Sequence, residues 1–247
     1  MREARFGPGS KGLLLDMGGV VLNMAGGRGM PTGMLDWRGR EALVQSIRAS
    51  QARVTLDMLD RTLFAPWHAG HERRVARLRE ERWEPHFERL RQTVGTDLTD
   101  EEMLDCWFRP YAEQLEPLPG AVEALAELSA EGVPMALVSN VPLPGRHYRR
   151  VLEKYRIDQF FEGLFFSYDL DTRKPSPALL RHALEFLGCE ASHAVMVGDR
   201  RDRDILAGQL AGVATVWIRS EDGGGPAPEL SISGLADLPA LMRQDDI

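Results

Sequence analysis

Short apolar runs and amphipathic runs alternate along much of the chain. Runs with strand character fall at residues 12–16, 134–139, 164–167, 194–197 and 214–218. They are nearly continuous in apolar side chains, which is the pattern of strands covered on both faces. Between the later ones the apolar positions return at helical spacing. Val122, Leu125 and Leu128 share one face over 121–131, and Leu179, Leu180, Ala183, Leu184 and Leu187 share one over 176–187. Ser176 is placed to cap that second helix and Pro177 to open its first turn. A further helix over 204–210 stops at Gly212. Strands alternating with helices predict an α/β fold built on a parallel sheet with helices on both faces.

Residues 23–115 break this alternation. A glycine-rich stretch at 25–29 gives way to helical, charged sequence over 40–63 and 71–94, and Thr99-Asp100-Glu101-Glu102 opens another helix. Pro117-Leu118-Pro119-Gly120 marks the return to the first pattern. The expected organisation is a core made of 1–22 and 116–247 with an all-helical insert over 23–115. The mixed charges of the insert describe a solvated helix surface, and Trp37, Trp67, Trp83 and Trp107 are expected to pack between its helices.

Composition narrows the partners. The 247 residues carry a formal charge of −7, which disfavours nucleic acid or an acidic membrane held by general electrostatics. The apolar runs are too short to span a bilayer, and the first residues lack a signal-peptide core. Cys106 and Cys189 are isolated in sequence, so neither a disulfide framework nor a cysteine zinc site is expected. The expectation is a cytoplasmic globular protein. No sequence signal bears on its oligomeric state.

The ends of the apolar runs carry the chemistry. Asp16 closes Leu13-Leu14-Leu15 and is followed by Gly18-Gly19; Val195-Met196-Val197 ends in Gly198-Asp199, with Asp204 five residues on. Ser139-Asn140 closes another run, and Lys174 follows the next. Lysine occurs only at 11, 154 and 174 among 30 basic residues, so its retention beside Arg173 invites a chemical reason. Each residue alone has a plain explanation as a turn, cap or surface charge. Together they occupy one edge of a parallel sheet, where open α/β sheets bind ligands. The set suits phosphoryl transfer: an aspartate attacks phosphorus, and a hard cation with Lys174 neutralises the charge. Asp16 and Asp199 are the candidate ligands of a magnesium ion. Ser139 and Asn140 join Lys174 as candidate phosphate-binding residues, and Asp204 is expected to orient Lys174 or metal-bound water.

The run 13–21, Val138-Ser139-Asn140, Arg173-Lys174-Pro175-Ser176-Pro177 and Gly198-Asp199 with Asp204-Ile205 resemble the four motifs of the haloacid dehalogenase-like hydrolases. The resemblance covers roughly residues 10–22 and 116–220, and Lys-Pro-x-Pro before an amphipathic helix is similar to the branch with a helical cap after the first motif. It implies a Rossmann-like core, Mg2+, Asp16 as nucleophile, Ser139 and Lys174 as phosphate ligands, and Asp199 as metal ligand. It also implies that Gly18 offers its backbone carbonyl to the metal. The expected activity is phosphatase action on a small phosphorylated metabolite through an aspartyl phosphate.

One departure stands out. Phosphatases of this family usually carry a second aspartate two residues after the nucleophile as general acid, and Gly18 stands there. Such assistance is worth roughly 10²–10⁴-fold in rate. Asp36, His68 and His71 are candidate replacements, and Arg28, Arg38 and Arg40 are candidate contacts to an anionic leaving group. Two other readings follow: a 2-haloacid dehalogenase, in which the same aspartate attacks carbon without metal, and a non-catalytic phospho-ligand binder. Asp199 and Asp204 favour phosphate over the first, and retention of the nucleophile and lysine speaks against the second. Gly27-x-Gly29 lacks the third glycine of a dinucleotide fingerprint, and His68 and His71 lack partners for a zinc site.

Overall fold

The computed structural model describes residues 12–24, 32–50, 52–219 and 224–243. Its strands are β1 (Gly12–Leu15), β2 (Leu22–Asn23), β3 (Glu116–Pro117), β4 (Met135–Ser139), β5 (Gly163–Phe166), β6 (Ala194–Gly198), β7 (Ala214–Ile218) and β8 (Leu230–Ile232). Its helices are α1 (Thr32–Ala49), α2 (Leu56–Leu59), α3 (Ala65–Val75), α4 (Glu84–Val94), α5 (Asp100–Ala112), α6 (Ala121–Ala130), α7 (Gly145–Lys154), α8 (Ser167–Leu170), α9 (Ala178–Leu187), α10 (Leu206–Ala211) and α11 (Leu238–Met242).

Six strands form one sheet in the order β5-β4-β1-β6-β7-β8, parallel at every pairing. The fold is therefore α/β, as the run pattern predicts. Its central strand shows why the apolar runs are continuous. Leu13 and Leu15 pack in the larger core cluster, whereas Leu14 points the other way with Ala136, Val138 and Met196 against Leu179, Leu180 and Ala183 of α9. Both faces of the sheet are covered, so no position along β1 tolerates a polar side chain.

The chain leaves this sheet through β2 and returns through β3, which pair antiparallel at Leu22↔Pro117 and Asn23↔Glu116. Helices α1 to α5 lie between them. At the centre of this helical insert, Trp83 stacks on Trp67 with ring centroids 4.3 Å apart and on Phe87 at 5.6 Å. Trp67, Trp83 and Trp107 pack as expected, but Trp37 is 50% exposed. It lies on the solvent side of α1, where packing does not decide the residue.

Several boundaries differ from the sequence reading. The helix expected over 40–63 is two, because Thr55 adopts extended φ/ψ and its hydroxyl accepts the Met58 N–H, starting a new helix. The helix expected over 71–94 also breaks. Leu78 sits at φ 55°, and α4 begins at Glu84-Pro85, where proline belongs in a first turn and not in an interior. Ser176 is not the N-cap of α9; Pro177 takes that place, and the Ser176 hydroxyl accepts the Ala178 N–H at 3.3 Å. Capping of α5 is as read: Thr99 and Glu102 each accept the other's backbone N–H.

A second attachment joins insert and core through other residues than β2 and β3. The segment between α3 and α4 lies along residues 167–173. Arg173 donates its backbone N–H to Leu78 O (3.1 Å) and its guanidinium to Glu80 Oε2 (3.0 Å), while Ser167 Oγ donates to Glu80 Oε1 at 2.5 Å. Glu80 is fully buried. Around it, Asp171 accepts from Arg74 and Arg79, and Trp83 Nε1 donates to Pro142 O. Among the described residues no helix is long and apolar enough to cross a membrane.

Candidate active site

Parallel pairing puts the carboxyl ends of β1, β4 and β6 on one edge. Leu15 pairs with Leu137 and with Val197, so Asp16 and the β6 end leave the sheet side by side. Asp16 N–H still donates to Val197 O at 3.0 Å, which fixes the aspartate at the last rung. The chain then turns sharply: Met17 O accepts the Val21 and Leu22 N–H groups, and Gly19 donates to Leu22 O. Gly19 has φ +71°, and a Cβ there would lie 2.3 Å from Asp199 Oδ2. Glycine is thus required both by the turn and by the approach of that carboxylate. Gly198 serves Asp204 in the same way, since a Cβ would fall 2.2 Å from the Asp204 Cβ.

Lys174 is fully enclosed and has three acceptors for its three protons. Nζ lies 2.7 Å from Asp16 Oδ1, 2.6 Å from Asp204 Oδ1 and 2.8 Å from Val138 O. Burial pulls its pKa down more than any other single influence, but the two carboxylates together outweigh it and hold the amine above its usual value. Asp204 is fixed in turn, its Oδ2 accepting the Arg200 N–H at 3.0 Å. The Asp199 backbone is held by Trp217 Nε1, which donates to its carbonyl at 2.9 Å.

Asp16, Asp199 and Asp204 each bring a carboxylate oxygen to within 4.8 Å of the others. Lys174 contacts Asp16 and Asp204. Burial, and then the charges of Asp16 and Asp204, push the Asp199 carboxyl up to about 7, against the pull of Lys174 and Arg200. Asp204 is pushed up to about 6, mainly by burial and against the pull of Lys174. Three hard oxygen ligands so gathered suit a divalent cation such as Mg2+. Asp16 and Asp199 would hold it, and Gly18 lies in the same turn.

A cavity of about 430 Å³ opens over these groups. Asp16, Gly18, Ser139, Asn140, Lys174 and Asp199 all line it, so the structure brings the candidate nucleophile, phosphate-binding and metal-binding residues together. Ser139 is buried at the β4 end with its neighbours facing the same hollow. Asn140 does something the sequence did not suggest. Its Nδ2 donates to Lys174 O (2.9 Å) and its Oδ1 accepts the Lys174 N–H (2.8 Å), so the carboxamide grips the lysine backbone.

The candidate replacement acids are elsewhere. Asp36 accepts from Arg40 Nε and Trp107 Nε1, His68 lies 3.5 Å from Arg40 Nη2, and His71 stacks on Trp67. None is among the described residues lining the cavity. Arg40 is engaged by Asp36 and Asp60, and Arg28 lies outside the described residues. Sequence reasoning missed Asn23, Met24, Leu118, Arg200 and Arg203, which also line the cavity. Arg200 and Arg203 adjoin Gly198-Asp199 in sequence, and that adjacency is the signal that identifies them. Met24 fills the space beside Gly18: a Cβ at residue 18 would lie 2.8 Å from the Met24 Cγ.

A central strand β1 that delivers Asp16, a buried lysine and late carboxylates thus share one edge of a parallel sheet, the edge at which open α/β sheets bind ligands. Residues 11–212 match the family model of the haloacid dehalogenase-like hydrolases, and the chain belongs to that family. Among curated relatives it is 36% identical to a phosphoglycolate phosphatase of Pseudomonas syringae pv. tomato over 48% of this chain and 43% of that protein. It is 30% identical to the pyrimidine 5'-nucleotidase YjjG of Escherichia coli over 65% of this chain and 69% of that protein. The chain thus spans less than half the length of the first phosphoglycolate phosphatases that it matches. Among solved structures, a HAD phosphatase from Thermococcus onnurineus superposes with TM-score 0.65 at 22% identity, covering 96% of this chain and all of that one.

Proposed function

We propose that the chain is a magnesium-dependent phosphomonoesterase acting in the cytoplasm on a small phosphorylated metabolite, with Asp16 as nucleophile. The observation that carries this reading is the cluster at the sheet edge: three gathered carboxylates, a buried lysine on two of them, and an Asp199 carboxyl raised to about 7. A haloacid needs no such cluster of oxygen ligands beside the attacking aspartate.

Asp16 attacks phosphorus through a carboxylate oxygen, and the bond from phosphorus to the ester oxygen breaks with its electron pair on the leaving group. Water then attacks the phosphorus of the aspartyl phosphate, releasing inorganic phosphate and the free carboxylate. Lys174 neutralises charge on the attacking and transferring groups, and Asp204 keeps the amine in place. Ser139 supplies a hydroxyl to the phosphoryl oxygens, and Asn140 acts through the lysine backbone that it holds. Asp16, Asp199 and the Gly18 carbonyl would hold magnesium, which would supply further neutralisation of the charge that keeps an anion from approaching an anion. Residues 23–115 serve as a cap over the core formed by 1–22 and 116–247, excluding water from the phosphoryl group.

The test is phosphate release from sugar phosphates, nucleotides and small organic phosphates with magnesium, beside an Asp16→Asn control. The variant is expected to lose activity by roughly 10⁴-fold or more. A variant equal to the wild type on the best substrate removes Asp16 from the role of nucleophile. Chloride release from a haloacid without added metal transfers the assignment to dehalogenation.

A further inference from the structure

The hollow over Asp16 continues into a second one. Met24 lines both the 430 Å³ cavity and a cavity of about 230 Å³ beside it. A second stretch of chain also runs from one to the other, since Ser139 and Asn140 line the first, and Pro142 and Leu143 the second. The second cavity lies between insert and core. Trp107, Phe108 and Tyr111 of α5 form one wall, and Pro142, Leu143 and Tyr148 form the other.

Polar atoms on the insert side of this cavity are already engaged. Asp36 Oδ1 accepts Trp107 Nε1 at 3.0 Å, and its Oδ2 accepts Arg40 Nε at 2.8 Å. The Tyr111 hydroxyl donates to Met24 O at 2.7 Å. No lysine or arginine is among the described residues lining it. A carboxylate entering there would lose water without meeting a cation. A flat apolar ring gains contact with the aromatic walls instead.

Leaving-group chemistry points independently the same way. Gly18 offers no proton, Asp36 accepts from both of its partners, and the carboxylates in the first cavity belong to Asp16, Asp199 and Asp204. Among the described residues lining the two cavities none is placed as a general acid, so they leave the ester oxygen to depart as an anion. A phenol, with a pKa of ~10 like the tyrosine side chain, departs so. An aliphatic alcohol, nearer the ~15.7 of water, does not.

Resting on the phosphomonoesterase reading, we propose that the preferred substrates are aryl phosphates, monoesters of a phenol whose ring occupies the Trp107–Tyr148 cavity. Asp16 forms the bond to phosphorus, the aryl oxygen leaves as phenolate and takes its proton from water, and hydrolysis of the aspartyl phosphate returns Asp16.

The test compares kcat/KM of the full chain with magnesium on phenyl, benzyl and ethyl phosphate, with 4-carboxyphenyl phosphate and glycerol 3-phosphate alongside. Benzyl over ethyl, two alkyl leaving groups, reads the cavity, and an advantage of about 10-fold or more is expected. Phenyl over benzyl reads the missing acid, with an expected advantage of about 10²-fold. The 4-carboxyl group is expected to reduce the phenyl value by about 10-fold, because no cation meets it. Leu143→Asn is expected to bring the benzyl-to-ethyl ratio towards one, a ratio that partial unfolding does not alter. Glycerol 3-phosphate equal to phenyl phosphate, or benzyl equal to ethyl, overturns the proposal and leaves the phosphatase standing. Failure of every ester overturns both.

Discussion

Two buried charge clusters sit within a few residues of each other, and they are built on opposite terms. Glu80 and Arg173 pair one to one at 3.0 Å, with Ser167 on the remaining carboxylate oxygen. Burial dominates at both groups, raising the Glu80 pKa and lowering that of Arg173, each towards its neutral form. At the sheet edge, Lys174 faces two carboxylates whose charges outweigh its burial, while burial and those same carboxylates raise the Asp199 pKa. A closed pair orders the join between insert and core. An open cluster of carboxylates over a cavity suits a cation. Burial of charge alone therefore does not mark a site; gathered like charges at a cavity do.

The largest expected effect separates the two clusters by function. Lys174→Met is expected to reduce phosphate release by at least about 10³-fold. Arg173→Met is expected to destabilise by about 3–5 kcal/mol, because Glu80 stays buried without its partner. The double variant Glu80→Leu with Arg173→Met is expected to recover most of that loss in denaturant titrations. Equal loss of turnover by the folded fractions of Lys174→Met and Arg173→Met would erase the distinction.

A smaller effect concerns the Asp199 carboxyl itself. Asp199→Asn is expected to raise the metal-free thermal midpoint at pH 8 by roughly 2–4 °C, the equivalent of about 1 kcal/mol for a chain of this size, because the charged form of the carboxyl is disfavoured by burial and by Asp16 and Asp204. It is also expected to abolish the rise that magnesium produces in the wild type. Calorimetry with and without chelator reads both, and a lower midpoint in the variant would mean that the charged carboxyl is not disfavoured there.

The smallest effect is the pH dependence. Asp199 and Asp204 titrate at about 7 and about 6 in the fold, against an ordinary 3.8. Between those values the folded chain holds more protons than the unfolded one, so their contribution is greatest below about pH 4 and is lost as pH rises through 7. The midpoint difference between Asp199→Asn and the metal-free wild type is expected to be small at pH 5 and larger at pH 8. A difference that narrows with rising pH would reverse the sign and the argument.

The core was legible because its signals are local. An apolar run ending in Asp-x-Gly-Gly or Gly-Asp names both a buried strand and the group at its end, and parallel pairing then places Asp16 and Asp199 together. The insert was legible as helical but not as to where its helices stop, since Thr55 and Pro85 are short-range signals lost inside long charged runs. β2, β3 and β8 are two or three residues long and take their extended form from partners remote in sequence. The Glu80–Arg173 pair joins residues 93 apart. No periodicity reports such a contact, and a glutamate within Arg79-Glu80-Glu81-Arg82 reads as ordinary helix surface. Asn140 was placed at the site, but its grip on the Lys174 backbone belongs to tertiary geometry alone.

Arg173 and Lys174 are neighbours, yet they answer to different parts of the molecule. The first is moored to the helical layer through Leu78 and Glu80, and the second to the end of β4 through Asn140. Movement of the helices relative to the sheet therefore strains a single peptide unit adjoining the ammonium. The helical layer and the buried ammonium are mechanically linked.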